Sequence, residues 1–315
     1  MRQTLASMIA QTARPSIWII VDDGSTDGSA EIAEVFAQQD GRFRPVRISK
    51  TGLLGALQRG CSESRGDFVA RMDADDRCLP LRLESQLGAC QQHPDWGVSA
   101  CRVAFGGDRA SQAGYALHVE WTNGLLTPED HFRYRFVESP VAHPSVMWRR
   151  EVMECHGGYA EAEGPEDYEL WLRWMGAGVR FGKLDQVGLV WNDPPHRLSR
   201  THPAYRVEQF YEVKCRYLAE MVPTGRPIWL WGSGRVTRRR FRALEVLRGP
   251  FQGFVDVDPR KIGQQISGRP VVAPPQLPEE AFVITGVGSR GAREKMESFL
   301  VESGREWGRD FLVCA

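Results

Sequence analysis

Short continuous apolar runs alternate along this chain with stretches whose apolar residues recur about every 3.6 positions. Ile17 to Val21 (IWIIV) is a short run rich in β-branched residues and predicts a buried parallel strand. It ends in Asp22-Asp23-Gly24-Ser25-Thr26-Asp27, a dense turn signal. Ser29 then opens a helical pattern with Ile32, Val35 and Phe36 on one face. Val46 to Ile48 predicts the next strand and Leu53 to Cys61 the next helix. Phe68 to Met72 predicts a further strand, which stops at Asp73-Ala74-Asp75-Asp76. Strands alternating with helices predict a parallel sheet covered on both faces, an α/β fold. Such sheets bind ligands at the carboxyl ends of their strands, where both acidic clusters lie.

From about residue 95 to 165 the pattern is less regular. Glu166 to Met175 regains helical spacing, with Leu170 and Trp174 four apart. Val187 to Trp191 is strand-like, Asn192-Asp193-Pro194-Pro195-His196 is a Pro-rich loop, and Thr201 to Met221 predicts one long helix. Val222 to Pro227 has linker composition, which divides the chain into domains 1–222 and 226–315. Ile228 to Trp231 then starts a new βαβ unit, followed by Gly232-Ser233-Gly234 and a helix start that includes Thr237. Phe254 to Asp258 and Phe282 to Gly288 predict two later strands.

Composition narrows the function classes. Lys plus Arg and Asp plus Glu number 40 each, so no bulk basic charge supports nucleic-acid binding. The ten Trp suit a core first and a sugar-stacking surface second. The seven Cys are dispersed with no C-x-x-C spacing, which predicts reduced thiols and a cytoplasmic address. The N-terminal sequence lacks the apolar stretch of a signal peptide, and no run approaches the ~18 apolar residues of a membrane span. Peripheral association at the inner face of the membrane stays compatible with this.

The acidic clusters suggest a chemistry. Sugar transfer from a nucleoside diphosphate makes the anomeric carbon cation-like while negative charge grows on the leaving diphosphate. It needs a counter-charge for the leaving group and a base for the attacking hydroxyl. Carboxylates holding Mn2+ or Mg2+ can supply the counter-charge, because these hard ions prefer oxygen ligands. Asp73-Ala74-Asp75 at a strand end has the right composition; alone, such a motif is more often a solvated acidic turn. Glu166-Asp167 follows Pro165 at a helix start, where acidic residues also serve the helix dipole.

Four stretches in order, IIVDDGSTDGSAEIA, GLLGALQRGCSESRGDFVARMDADD, AHPSVMWRREVMECHGGY and EDYELWLRWMGAG, resemble the large family 2 glycosyltransferases of GT-A fold. The resemblance spans about residues 5–200. It implies an inverting transferase that moves a sugar from a nucleoside-diphosphate donor to a glycan or lipid-linked hydroxyl acceptor, in bacterial surface polysaccharide synthesis. It implies that Asp22, with Asp23 beside it, contacts the nucleotide, that Asp73 faces the donor, and that Asp75 binds metal. Asp167 is the implied base, supported by Glu166. Softer expectations are Arg71 toward the diphosphate, Asp67 as a turn former or base contact, His143 on the acceptor side, and His196 at the metal or diphosphate. Arg197, Ser199 and Arg200 would suit phosphate contacts.

Two features depart from the family pattern. Its first strand would fall before Met1 and is missing from this sequence, and Lys50-Thr51 replaces the usual Asn before Gly52. The C-terminal segment of about ninety residues resembles half of a dinucleotide-binding, Rossmann-like fold. Its Gly232, Gly234 and Thr237 could hold a phosphate through backbone N–H groups, and a packing or docking domain is the other reading. Two functional alternatives follow: a non-catalytic nucleotide-sugar-binding protein, and an oxidoreductase or epimerase acting through this glycine turn. No Tyr-x-x-x-Lys accompanies that turn.

Overall fold

A computed structural model describes residues 1–161, 164–194, 197–289 and 291–315. The chain folds as two compact units. The first contains Met1–Phe132, the segment 140–161 and Glu166–Thr201. The second contains Arg133–Ser139, residues 164–165 and His202–Ala315. The stretch Val207–Met221, ahead of the linker expected at Val222–Pro227, therefore clusters with the C-terminal unit.

The strands of the first unit are β1 (Trp18–Asp22), β2 (Phe43–Arg47), β3 (Phe68–Ala70), β4 (Arg77–Cys78), β5 (Trp96–Phe105), β6 (Met147–Arg149) and β7 (Arg180–Trp191). Its helices are α1 (Arg2–Ile9), α2 (Ser29–Gln39), α3 (Gly52–Glu63), α4 (Arg82–Gln92), α5 (Ala113–Gly124), α6 (Pro128–Tyr134, whose last two residues belong to the second unit), α7 (Arg150–His156), α8 (Glu166–Gly176) and the single turn α9 (Leu198–Thr201). β1 and β2 pair in parallel as a sheet of their own. The others form a five-stranded sheet in the order β3-β6-β5-β7-β4. Among the described residues β1 pairs only with β2, and β3 only with β6. One apolar cluster nevertheless joins Trp18, Phe36 and Phe43 to Phe68 and Met147, with Leu5 and Met8 of α1 packed into it.

The α/β fold with parallel pairs expected from the sequence is present, and two short strands of this sheet depart from that direction. β5 and β7 run parallel, but β6 enters antiparallel between β3 and β5, and β4 is antiparallel to β7. These reversed strands hold three and two residues, too few for periodicity to show. β5 lay within the stretch that read as irregular. Its interior is covered on both faces and built of small residues (Gly97, Ser99, Ala100, Cys101), so no alternation marks it. Gly97 has no room for a side chain, since a Cβ there would lie 2.5 Å from Val179 Cγ1. The single helix expected over Thr201–Met221 is corrected. α9 ends before Pro203, which lacks an N–H, and a 3-10 turn at Pro203–Tyr205 precedes the next helix.

The main core of this unit gathers Val98, Trp148, Leu170, Trp171, Trp174 and Phe181. Trp171 and Trp174 are fully buried with ring centroids 5.6 Å apart, so both are core rather than a sugar platform. This packing fixes α8, and with it the Glu166-Asp167 end.

The second unit carries α10 (Val207–Met221), β8 (Ile228–Trp231), α11 (Arg235–Arg240), α12 (Arg242–Arg248), β9 (Gly253–Val255), β10 (Gln265–Ile266), β11 (Arg269–Val272), β12 (Phe282–Thr285), α13 (Ala292–Glu302) and β13 (Phe311–Val313). Its sheet has the order β10-β11-β9-β8-β12-β13, parallel except at β10–β11. β8 (IWLW) is wholly buried, as a central parallel strand must be. The segment 133–139 is bound into this unit. Arg133 Nε donates to Glu297 Oε1 at 2.7 Å, and the buried Lys214 Nζ donates to the Val137 and Cys314 carbonyls at 2.9 and 3.1 Å.

Candidate active site

The site lies in the first unit and grows out of the end of β3. The strand leaves the sheet at Arg71, whose N–H still donates to the Val146 carbonyl at 3.0 Å. The side chain of Arg71 is buried and forms an ion pair with Asp73. The turn that follows brings Asp73, Asp75 and Asp76 together, with one ligand oxygen of each within 4.8 Å of the others. The loop after β7 closes this turn: Asn192 donates its N–H to Asp76 Oδ1 at 2.8 Å and its side-chain amide to the Asp75 carbonyl at 2.6 Å. Asp76 Oδ2 is buried without a hydrogen-bond partner. A cavity of about 400 Å³ borders Asp75, Asp76, Arg77, Asn192 and Thr4.

Three crowded carboxylates cannot all ionise freely. Burial, then the charges of Asp73 and Asp75, push Asp76 up to about 8 despite the Asn192 hydrogen bond. Desolvation, then the charge of Asp73, raises Asp75 as well, although that side chain as a whole stays exposed.

A second pair of acids approaches from α8. Glu166 and Asp167 occupy its first turn. Asp167 is pushed up to about 7 by burial and by the charge of Glu166, against the pull of Arg71 and Arg197. His143, in a 3-10 turn before β6, places Nδ1 3.8 Å from Glu166 Oε1 and Nε2 2.6 Å from the Tyr159 hydroxyl. Burial, with the positive charges of Arg71 and Arg197, holds His143 well below its ordinary pKa, so it is neutral.

Arg197 closes the arrangement from the loop beyond β7. Its guanidinium lies 4.5 Å from the Trp191 ring centroid and 5.2 Å from that of Tyr115, and it hydrogen-bonds the Tyr115 hydroxyl. Buried Asp193 holds the neighbouring Arg200 as an ion pair. The charge of Arg197 acts on Asp75, Asp76 and Asp167. The charges of Arg71 and Arg197 thus act on both groups of carboxylates.

The remaining sequence candidates are placed as follows. Asp22, buried at the end of β1, accepts from the Ser25 N–H at 3.0 Å and faces Arg47 Nε at 3.4 Å. Asp23 spends both oxygens on α3: it accepts from the N–H groups of Thr51 (2.6 Å) and Gly52 (2.8 Å). Those bonds come from backbone N–H groups, so the Lys50-Thr51 departure leaves them in place. Asp67 is exposed at the amino end of β3, a strand's length from the acidic turn, and its carbonyl accepts from Arg150. His196 lies outside the described residues. In the second unit, α11 has only six residues, and Thr237 packs against Gly232 and Gly286, so that turn is filled by side-chain contacts. Ser233 donates its N–H to Asp256 at 3.2 Å, and Lys261 pairs with the same carboxylate at 3.0 Å. Sequence reasoning missed Asp76 and Tyr159. The third Asp of DADD was a signal for the first; nothing local marks the second.

Residues 1–157 match the family model described as glycosyl transferase family 2. The chain belongs to that family. A glycosyltransferase of Haemophilus influenzae, itself uncharacterized, is 25% identical over 188 residues, 59% of this chain and 68% of that one. The amylovoran biosynthesis glycosyltransferase AmsE of Erwinia amylovora is 28% identical over 191 residues, again 59% of this chain and 68% of that protein. Among solved structures, residues 1–349 of TarS from S. aureus, in complex with UDP-GlcNAc, superpose with a TM-score of 0.55 at 16% identity, over 77% of this chain and 67% of that one. That likeness supports the GT-A fold. In this glycosyltransferase, Asp22, the Asp73–Asp76 turn and His143 lie within the matched residues. Glu166, Asp167 and Arg197 lie beyond them. No helix among the described residues is long and apolar enough to cross a membrane.

Proposed function

We propose that this glycosyltransferase inverts the anomeric centre in a single displacement. The sugar passes from a nucleoside diphosphate to a hydroxyl of a glycan or lipid-linked acceptor in bacterial polysaccharide assembly. The observation that carries this reading is the meeting, inside one unit, of the Asp73–Asp76 turn with the Glu166-Asp167 pair around Arg71. The AmsE relative's part in amylovoran biosynthesis supports the polysaccharide setting.

The residues divide the work. Asp167, with a pKa near neutrality, takes the proton from the acceptor hydroxyl as it attacks. Glu166 keeps Asp167 basic through its own charge. Neutral His143, fixed by Tyr159, lies beside Glu166 on the acceptor side. Asp22 contacts the nucleotide, and Asp73 faces the donor sugar and orients Arg71. Arg71 and Arg197 offset the negative charge that gathers on the leaving diphosphate.

Asp73, Asp75 and Asp76 fit a hard divalent ion, Mn2+ or Mg2+. All three offer oxygen, and the orphaned Asp76 Oδ2 has a desolvation cost that a cation would relieve. When bound, such an ion supplies Lewis-acid stabilisation of the departing diphosphate. Calorimetric titration of UDP, GDP and dTDP, with and without manganese, tests the reading. Metal-dependent binding of one nucleotide, lost in Asp75→Ala, is the expected result. Transfer that continues at the normal rate in Asp167→Asn would overturn the base assignment.

A further inference from the structure

The second unit presents a face on which arginines and exposed aliphatic side chains lie together. Between Arg206 and Arg248 the chain carries ten Lys and Arg against four Glu, although the whole chain is balanced. Val246 is 79% exposed, the most exposed large apolar side chain among the described residues, and Leu247 and Val236 are more than half exposed. Val246 and Leu247 line a cavity of about 350 Å³ between α10 and α12, with Arg216, Arg242, Ala243 and Glu212. Arg239 pairs with Glu208 at 3.4 Å and so sets α11 beside the start of α10. Arg216, Arg235 and Arg242 are exposed and make no ion pair among the described residues.

Exposed aliphatics beside unpaired guanidinium groups suit one environment above others. An anionic bilayer accepts the aliphatic side chains at the depth of its acyl boundary while phosphates meet the arginines above. A second copy docking through the same face would set arginines against arginines. A nucleic acid would satisfy the arginines but leave Val246 and Leu247 without a counterpart.

We propose that the α10–α12 face of the second unit docks on the surface of an anionic lipid bilayer. This inference is independent of the catalytic reading. The test is flotation of the full chain with vesicles of phosphatidylglycerol and phosphatidylcholine in equal parts, beside vesicles of phosphatidylcholine alone. The chain floats with the anionic vesicles and not with the neutral ones, and raised salt releases it. Val246→Ser combined with Leu247→Ser lowers the bound fraction at least about tenfold, as does Arg216→Glu combined with Arg242→Glu. Circular dichroism melting of both variants stays at the parent value, since all four side chains are exposed; if the serine variant melts early, the arginine variant decides. Equal flotation with neutral vesicles, absence of flotation, or undiminished binding by a folded variant overturns the proposal. So do concentration-dependent dimers disrupted by the same substitutions, and tighter capture by polyuridylate than by the anionic vesicles.

Discussion

The Tyr159 hydroxyl sits 2.6 Å from His143 Nε2, and it fixes the ring of a histidine held neutral inside the protein. The other ring nitrogen faces Glu166 at 3.8 Å, so the orientation of the imidazole is passed to the acid beside the proposed base. Tyr159→Phe leaves Nε2 buried and unpartnered. It should lower unfolding stability by about 1–3 kcal/mol in urea titration, and it should slow transfer more than it weakens donor binding.

The proposed base sets a pH limb. Asp167 has a pKa of about 7, raised by burial and by Glu166, and it must be ionised to accept a proton. kcat/KM should therefore fall on the acid side of pH 7, by about tenfold per unit. Asp167→Asn should remove the limb and lower the rate by about 10²–10⁴-fold at pH 8. A limb that survives this substitution assigns the titration to another group.

Metal affinity should also climb with pH. Asp76 has a folded-state pKa of about 8, above its unfolded value, so ionising it costs the folded protein stability as pH rises from about 4 through 8. A divalent ion requires the ionised form, and its binding releases that proton. The apparent affinity for Mn2+, read as a rise in Tm, should strengthen by up to about tenfold per unit between pH 6 and 8. In Asp76→Asn this dependence should flatten.

Asp23 was expected to touch the nucleotide, but both its oxygens cap the start of α3 through Thr51 and Gly52. Those bonds hold its carboxyl below the usual carboxylate range, against the opposing effect of burial. Asp23→Ala should cost about 0.5–2 kcal/mol, the usual cost of losing a helix cap. Thermal unfolding with and without nucleotide separates the two roles: a capping residue shifts both curves equally.

Much of the fold was legible where periodicity was long. β1, α2, α3, α8, β8 and β12 fall where the apolar pattern puts them, because each carries one clear apolar stripe or run. β5 was not legible, because small residues covered on both faces carry no alternation. The Asp73–Asp75 turn could be read from its position at a strand end. The partnership of Arg71 with Asp73 and the α8 acids could not, since it joins residues nearly a hundred positions apart. Tyr159 meets His143 only through the packing of the Trp148–Trp174 core.

The second unit takes Arg133–Ser139 from the middle of the sequence and fastens it through Glu297 and Lys214. Arg133 and its partner Glu297 therefore leave the ribosome 164 residues apart. Residues 133–139 must wait, with their partners unmade, until α13 and β13 have been synthesised. No single cut in the chain can release this unit whole, and a gene fragment beginning at His202 would encode it without the strap that Lys214 is built to hold. As a hereditary part it cannot be passed between proteins by joining ends; it travels only with the transferase sequence that encloses its missing piece.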